Sequence, residues 1–348
     1  MKYHQMKTEF ACGIDLHARQ MYMCVCDRAG NVYKRLNIRG NNLDFFSHQL
    51  EPYQGKITIA CESTFNWYFL ADYCEREGYE FVIGHALYMK HIHGGKAKND
   101  RIDSYKIAHL IRGGNFPLAY VYPPEMRAAR DLLRRRTRIV RHGADLKAHV
   151  KNTTSQYNLP ANNLDLKYPC AREAMRNCFD NEFVQRNVDL DLNIIAFYNH
   201  ELSSIECFIE KHAKHHNGSD YHILTSFPGI GRILALTILY EVGDIARFST
   251  VQDFASYSRL IKCKAESAGK SYGTQGNKIG NAHLKWAFGE IAVLYLRGND
   301  KAKAHLLKLQ KRMSKAKALS ALAHKIGRCV YYMLKNQKVF DEKRFLAG

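Results

Sequence analysis

Apolar and polar positions change their period three times along the chain. From Phe10, "FACGIDLHARQMYMCVCD" predicts an apolar strand ending near Asp15, then a second, alternating strand through Met21, Met23 and Val25. "GNVYKRLNI" follows the turn at Ala29-Gly30-Asn31 as a third strand. "NNLDFFSHQLEPY" starts with an Asn cap and carries helical periodicity; "KITIACES" is a short strand whose apolar run ends at Glu62. "NWYFLADYCEREGY" predicts an amphipathic helix closed by Gly78, and "EFVIGHA" a fifth strand. In "KNDRIDSYKIAHLI" (98–111), Ile102, Ile107, Leu110 and Ile111 recur at helical spacing, with Asp100 and Asp103 on a neighbouring face. Three antiparallel-looking strands followed by alternating helix and strand are the element order of an RNase H-like fold over 8–122.

Residues 123–217 read as helical. After Pro123-Pro124 comes a long basic helix, joined through "YNLPANNLDLKYP" to a second at about 182–213. The second carries Val188, Ile195, Leu202 and Ile209 at seven-residue spacing, with Leu192, Tyr198 and Ile205 between them. That seam fits an intramolecular helical hairpin or a dimeric coiled coil equally well. Residues 218–348 predict helices near 232–242, 250–260, 281–297 and 314–336, separated by Gly-rich or charged loops. The architecture expected is therefore α/β followed by α, in three blocks.

Charge adds a partner. The 348 residues contain 52 Lys plus Arg against 33 Asp plus Glu, a formal charge of +19, which points to a polyanion and most directly to nucleic acid. No apolar run approaches a transmembrane length, and "MKYHQMKTEF" lacks the apolar core of a signal peptide. The ten cysteines form no CxxC pair and predict reduced thiols in a cytosolic protein. "HIHGG" and "HAKHH" lack cysteine or carboxylate partners at zinc-site spacing, so they predict polar loop or helix-end histidines.

On so basic a chain, the acids that converge are the informative ones. In an RNase H-like sheet the first and fourth strands are neighbours, which brings Asp15 and Glu62 together. A helix packed beside them adds Asp100 and Asp103. Four carboxylates in one place suit Mg2+, whose ligands are oxygens in near-octahedral array. "GIDLHARQ" also matches the first strand of actin-like ATPases and sugar kinases, but their phosphate turn needs glycine and "LHARQMY" has none. Downstream, "LTSFPGIGRILALTILYEVGD" (224–244) is helix-hairpin-helix-like: Pro228-Gly229-Ile230-Gly231 turns tightly and offers amides to a phosphate, with Arg232 opening the next helix. "IKCKAESAGKSYGTQGNKIGNAHLKWA" reads as a flexible basic loop with an exposed serine, Ser267, among Lys264, Lys270 and Lys278.

Taken in order, Asp15, Glu62, D-x-x-D at 100–103, P-G-I-G at 228–231 and S-A-G-K…G-N-K-I-G-N at 267–281 resemble one family across about 8–300. It is the DEDD transposases of the insertion-sequence 110/1111 type, bridge-RNA-guided recombinases related to Piv-type DNA invertases. The resemblance implies a RuvC-like domain (8–122), a coiled-coil middle (123–217) and a C-terminal transposase domain (218–348). It also implies Mg2+ on the four acids and a serine that attacks DNA to form a phosphoserine link. Members typically show S-x-G-G-K or S-G-G-K where this chain has Ser267-Ala268-Gly269-Lys270, with Ser271 as the other serine of that stretch. Implied partners are donor and target DNA, a structured guide RNA and further copies of the chain, as a dimer and as a tetramer in the synaptic complex, in a prokaryotic cytosol. The competing readings are a RuvC-like nuclease of Holliday-junction type that uses water, with the serine structural, and a non-catalytic nucleic-acid scaffold.

Overall fold

A computed structural model describes residues 2–92, 99–160, 164–275 and 279–347. The chain divides into two compact units, Met1–Pro124 and Glu125–Gly348.

The first unit is built on a six-stranded sheet. In chain order its elements are β1 (Phe10–Leu16), β2 (Gln20–Asp27), β3 (Val32–Arg39), α1 (Leu43–Leu50), β4 (Ile57–Glu62), α2 (Tyr68–Arg76), β5 (Glu80–Gly84), α3 (Ala86–Ile92), α4 (Asp100–Arg112) and β6 (Leu118–Ala119). The strand order is β3-β2-β1-β4-β5-β6. β1 pairs antiparallel with β2 and parallel with β4, and β4 pairs parallel with β5. This is the mixed sheet expected of an RNase H-like domain.

Alternation along β1 and β4 assigns the two faces. Cys12, Ile14, Leu16, Ile59 and Cys61 point into a core with Phe46 and Leu50 of α1 and Leu70 and Cys74 of α2. Ala11 and Ala60 point to the other face, where Ile107, Ala108 and Ile111 of α4 cover them. Small residues on that face let α4 come close. A Cβ added to Gly13 would lie 2.2 Å from the Ser104 carbonyl oxygen and 2.3 Å from the Ala108 amide nitrogen. Asn99 starts α4 by accepting from the Ile102 amide at 2.8 Å.

Among the described residues the second unit is helical apart from one hairpin. It comprises α5 (Pro124–Gln156), α6 (Pro169–Arg176), α7 (Glu182–Thr225), α8 (Arg232–Val242), α9 (Val251–Tyr257), β7 (Cys263–Ser267), β8 (Lys270–Gln275), α10 (Ala282–Tyr295), α11 (Asp300–Gln310), α12 (Lys315–Lys335) and α13 (Glu342–Ala347). α8 is buried from Leu234 to Val242, at the centre of a core shared with α10 and α12. α7 bends at Asn217, whose φ/ψ of −154°/68° interrupts the helix.

The heptad seam closes within the chain. Val188, Leu192 and Ile195 are buried against Val150 of α5, Met175 of α6, and Leu166 and Phe179; Ile209 packs with Leu133 of α5. The ion pairs Arg136–Glu206 and His149–Asp191 run alongside. A different stripe of α7 faces solvent, with Phe183, Leu190, Ile194 and Phe197 all exposed.

The expectation of a flexible loop over 262–278 requires correction. Residues 263–275 form a β-hairpin in which Ser267 pairs with Lys270 across Ala268-Gly269. Both turn residues have positive φ, 49° and 73°, the signature of a two-residue type I′ turn. Composition misled because Ala is a poor residue for φ > 0 and gives no turn signal.

Candidate functional site

The acids are positioned by three elements. Asp15 lies near the end of β1 on the face covered by α4, and Glu62 ends β4. The last β1–β4 pair is Ile14 with Cys61, so Asp15 and Glu62 are the next residue on each parallel strand. Residues in register on parallel neighbours share a face, and Ala60, two residues before Glu62, lies under α4. Asp100 and Asp103 occupy the first turn of α4. The close approach at Gly13 holds that helix against β1. The structure thus brings Asp15, Asp100 and Asp103 together at one corner of the first unit, with Glu62 at the end of the neighbouring strand.

Sequence reasoning missed His17. Its Nε2 lies 3.3 Å from Asp15 Oδ2 and 3.4 Å from Asp100 Oδ1, and one ligand atom from each of the three residues falls within 4.8 Å of the others. The available signal was period two: Gly13, Asp15 and His17 alternate onto the α4 side. Gln20 Nε2 donates to Asp100 Oδ2 at 3.2 Å, and Lys106 Nζ lies 3.6 Å from Asp103 Oδ1. Burial pushes the Asp15 carboxyl above its ordinary range; His17 opposes that shift, and Asp100 and Asp103 add to it. Carboxylates that repel one another at a partly buried site form a donor set matched to a hard divalent cation.

In the second unit Ser267, Ala268, Gly269 and Lys270 are exposed at the hairpin tip. Its base is clamped: the Asn281 amide donates to Tyr257 O at 2.6 Å, and Arg259 Nε to Gly280 O at 2.8 Å. Below lies Glu241 of α8, 2% exposed. It accepts Arg134 of α5 bidentately at 2.7 and 2.8 Å and the Asn281 side-chain amide at 2.7 Å. Burial alone would raise the Glu241 carboxyl, but Arg134, Asn281 and His283 outweigh it and hold the group ionised below its ordinary range. This clamp also escaped sequence reasoning, because it joins three helices distant along the chain.

The remaining candidates fall as follows. Gly229, at φ 95°, packs its Cα against the end of α10, where an added Cβ would meet the Tyr295 amide at 2.9 Å. Gly231 is the N-cap of α8, with nothing within 4 Å of an added Cβ. Arg232 is exposed and donates to Glu210 at 3.0 Å. Lys264 lies in β7 and Lys270 opens β8; Lys278 lies outside the described residues.

Comparison with known proteins agrees with this order of elements. Residues 12–159, spanning all four acids, match the model of the DEDD transposases of the IS110 type. Residues 221–306, spanning P-G-I-G and the hairpin, match that of the IS116/IS110/IS902 transposase family. The chain is 24% identical, over 70% of its length and 68% of the relative's, to the transposase for insertion sequence element IS1111A of Coxiella burnetii (strain RSA 493 / Nine Mile phase I). It is 28% identical over 37% of its length to a mini-circle protein of IS117, and 29% identical over 36% to an uncharacterized 43.6 kDa protein of insertion element IS110. Both are from Streptomyces coelicolor (strain ATCC BAA-471 / A3(2) / M145), and 31% of each is matched. The matched family models are those of a DEDD-type transposase, a family that implies an enzyme which cleaves and transfers DNA. Within that class the chain belongs to the IS110/IS1111 group. The family implies a divalent metal, with which the Asp15–His17–Asp100 cluster is compatible. No helix among the described residues is long and apolar enough to cross a membrane.

Proposed function

We propose that this chain cuts and rejoins DNA through Ser267, assisted by Mg2+ held by Asp15, Glu62, Asp100 and Asp103, at sites chosen by a structured bridge RNA that pairs with donor and target DNA. The observation that carries the reading is the convergence of these acids, from the ends of two parallel strands and the first turn of one helix, on a protein of charge +19. Bound there, magnesium would offset the charge on the attacked phosphate and assist loss of the serine proton.

The chain's own residues do the rest. The hairpin presents Ser267 Oγ from a clamped base, so that the hydroxyl forms the new P–O bond while the sugar oxygen departs with the strand end. Lys270, paired with Ser267 across the turn, and Lys264 and Lys278 of the same stretch supply positive charge for the phosphates. The N-terminus of α8, reached through the turn at Gly229 and begun by Gly231 and Arg232, binds backbone phosphate. Basic α5 contributes to guide-RNA and DNA binding. The exposed apolar stripe of α7 supports assembly into dimers, and into tetramers in the synaptic complex. The blocks 8–122, 123–217 and 218–348 act as the metal, scaffold and nucleophile modules.

The test is denaturing electrophoresis of labelled DNA with wild type, Ser267→Ala and Ser271→Ala in the presence of the guide RNA. The expected result is an adduct in wild type and Ser271→Ala that maps to Ser267, with none in Ser267→Ala despite normal binding. An adduct surviving in Ser267→Ala refutes the nucleophile. Magnesium-dependent cleavage with no adduct in any variant makes the protein a water-using nuclease with a structural serine.

A further inference from the structure

We propose that His17 supplies a nitrogen donor to the acid site, so that the site binds manganese-like transition ions more tightly than it binds the magnesium of the proposed reaction. The inference rests on the metal reading of Asp15, Glu62, Asp100 and Asp103 and adds a ligand to it. His17 stands where the chain leaves β1, two residues beyond Asp15, and its Nε2 faces Asp15 Oδ2 and Asp100 Oδ1 at 3.3 and 3.4 Å. Its backbone is pinned from both directions. The His17 amide donates to Gln20 O at 2.9 Å, and its carbonyl accepts from Asn66 at 2.8 Å and Asn41 at 3.1 Å.

The donor chemistry decides the preference. An all-carboxylate site discriminates weakly among hard divalent cations, whereas an imidazole nitrogen favours first-row transition ions over magnesium, which keeps oxygen ligands and water. His17 therefore raises affinity for Mn2+ and leaves affinity for Mg2+ to the carboxylates.

The experiment uses the full chain with Mn2+ and Mg2+ as probes. Calorimetry measures both affinities for wild type, His17→Ala and Asp15→Ala, and pulsed electron paramagnetic resonance of bound Mn2+ detects a coupled 14N nucleus. The expected result is 14N coupling in wild type that vanishes in His17→Ala. Mn2+ affinity in that variant should fall roughly 10- to 100-fold, with Mg2+ affinity held within about threefold, the weak dependence expected of an oxygen-bound ion. Melting in EDTA, unchanged from wild type, shows that His17→Ala folds. Mn2+ bound without 14N coupling, or bound as tightly by His17→Ala as by wild type, overturns the proposal while leaving the acid site standing. Mn2+ binding indifferent to Asp15→Ala overturns the acid site itself, and the role of His17 with it.

Discussion

Gly13→Ala should dismantle the candidate site from behind. The new methyl would lie 2.2 Å from Ser104 O, 2.3 Å from Ala108 N and 3.0 Å from Ile107 C, against an ordinary contact of 3.4–4 Å. All three neighbours are backbone atoms of α4 and cannot rotate away, so the helix must retreat from β1 by about an ångström. Overpacking of this kind costs about 1–3 kcal/mol, and the upper end applies because Ala11, Ala60, Ile107 and Ala108 lose contact together. The same movement carries Asp100 and Asp103 away from Asp15, and a displacement of about 1 Å at a reacting centre costs on the order of 10²-fold in rate. Urea denaturation of the full chain, with the rate of DNA strand cleavage and Mn2+ affinity measured alongside, reads both effects. Gly289→Ala in α10, with nothing within 4 Å, is the control and should be neutral or stabilising by up to about 1 kcal/mol. Wild-type stability and metal affinity in Gly13→Ala would refute the packing account of how the acids meet.

Three further outcomes are expected. Burial raises the Asp15 carboxyl in the folded state, so folded protein binds that proton more tightly and loses stability as pH rises from the unfolded to the folded value; in EDTA at neutral pH Asp15→Asn should melt above wild type, with the gap closing in acid, and a lower melting point would contradict the shift. Ala268→Gly relieves a left-handed φ of 49° and should stabilise the hairpin by about 1 kcal/mol, seen as slower amide exchange across 263–275; faster exchange would reject the type I′ turn. Leu192→Ala, in the buried seam, should cost about 2–5 kcal/mol without changing mass, whereas Phe197→Asp, 60% exposed, should keep its melting point and lower the mass by light scattering; the reverse pattern would put the oligomer contact in the seam.

The N-terminal sheet was legible because β1 and β4 are short apolar runs that end at acids, β2 sets Met21, Met23 and Val25 in alternation, and the β2–β3 turn carries Gly30 and Asn31. The places of Asp15 and Glu62 followed from strand ends, and those of Asp100 and Asp103 from the start of an apolar-periodic helix. What stayed hidden has physical causes. Periodicity names the face of α7 that is buried but not what buries it, so α5 and α6 as the seam's partners were invisible. α6 and α11 went unpredicted because each is short and buries only two residues, Ala171 and Met175 or Ala302 and Leu306. The Glu241–Arg134–Asn281 clamp is one carboxylate in an apolar helix whose partners lie 107 and 40 residues away, a separation that no local pattern reports.

The most direct test of the central claim is anomalous diffraction from crystals of the full chain soaked in Mn2+. One strong peak is expected, with oxygens of Asp15, Glu62 and the Asp100–Asp103 turn within about 2.5 Å. Saturating Mn2+ with no peak at that corner, or a peak ligated by other residues, would contradict it.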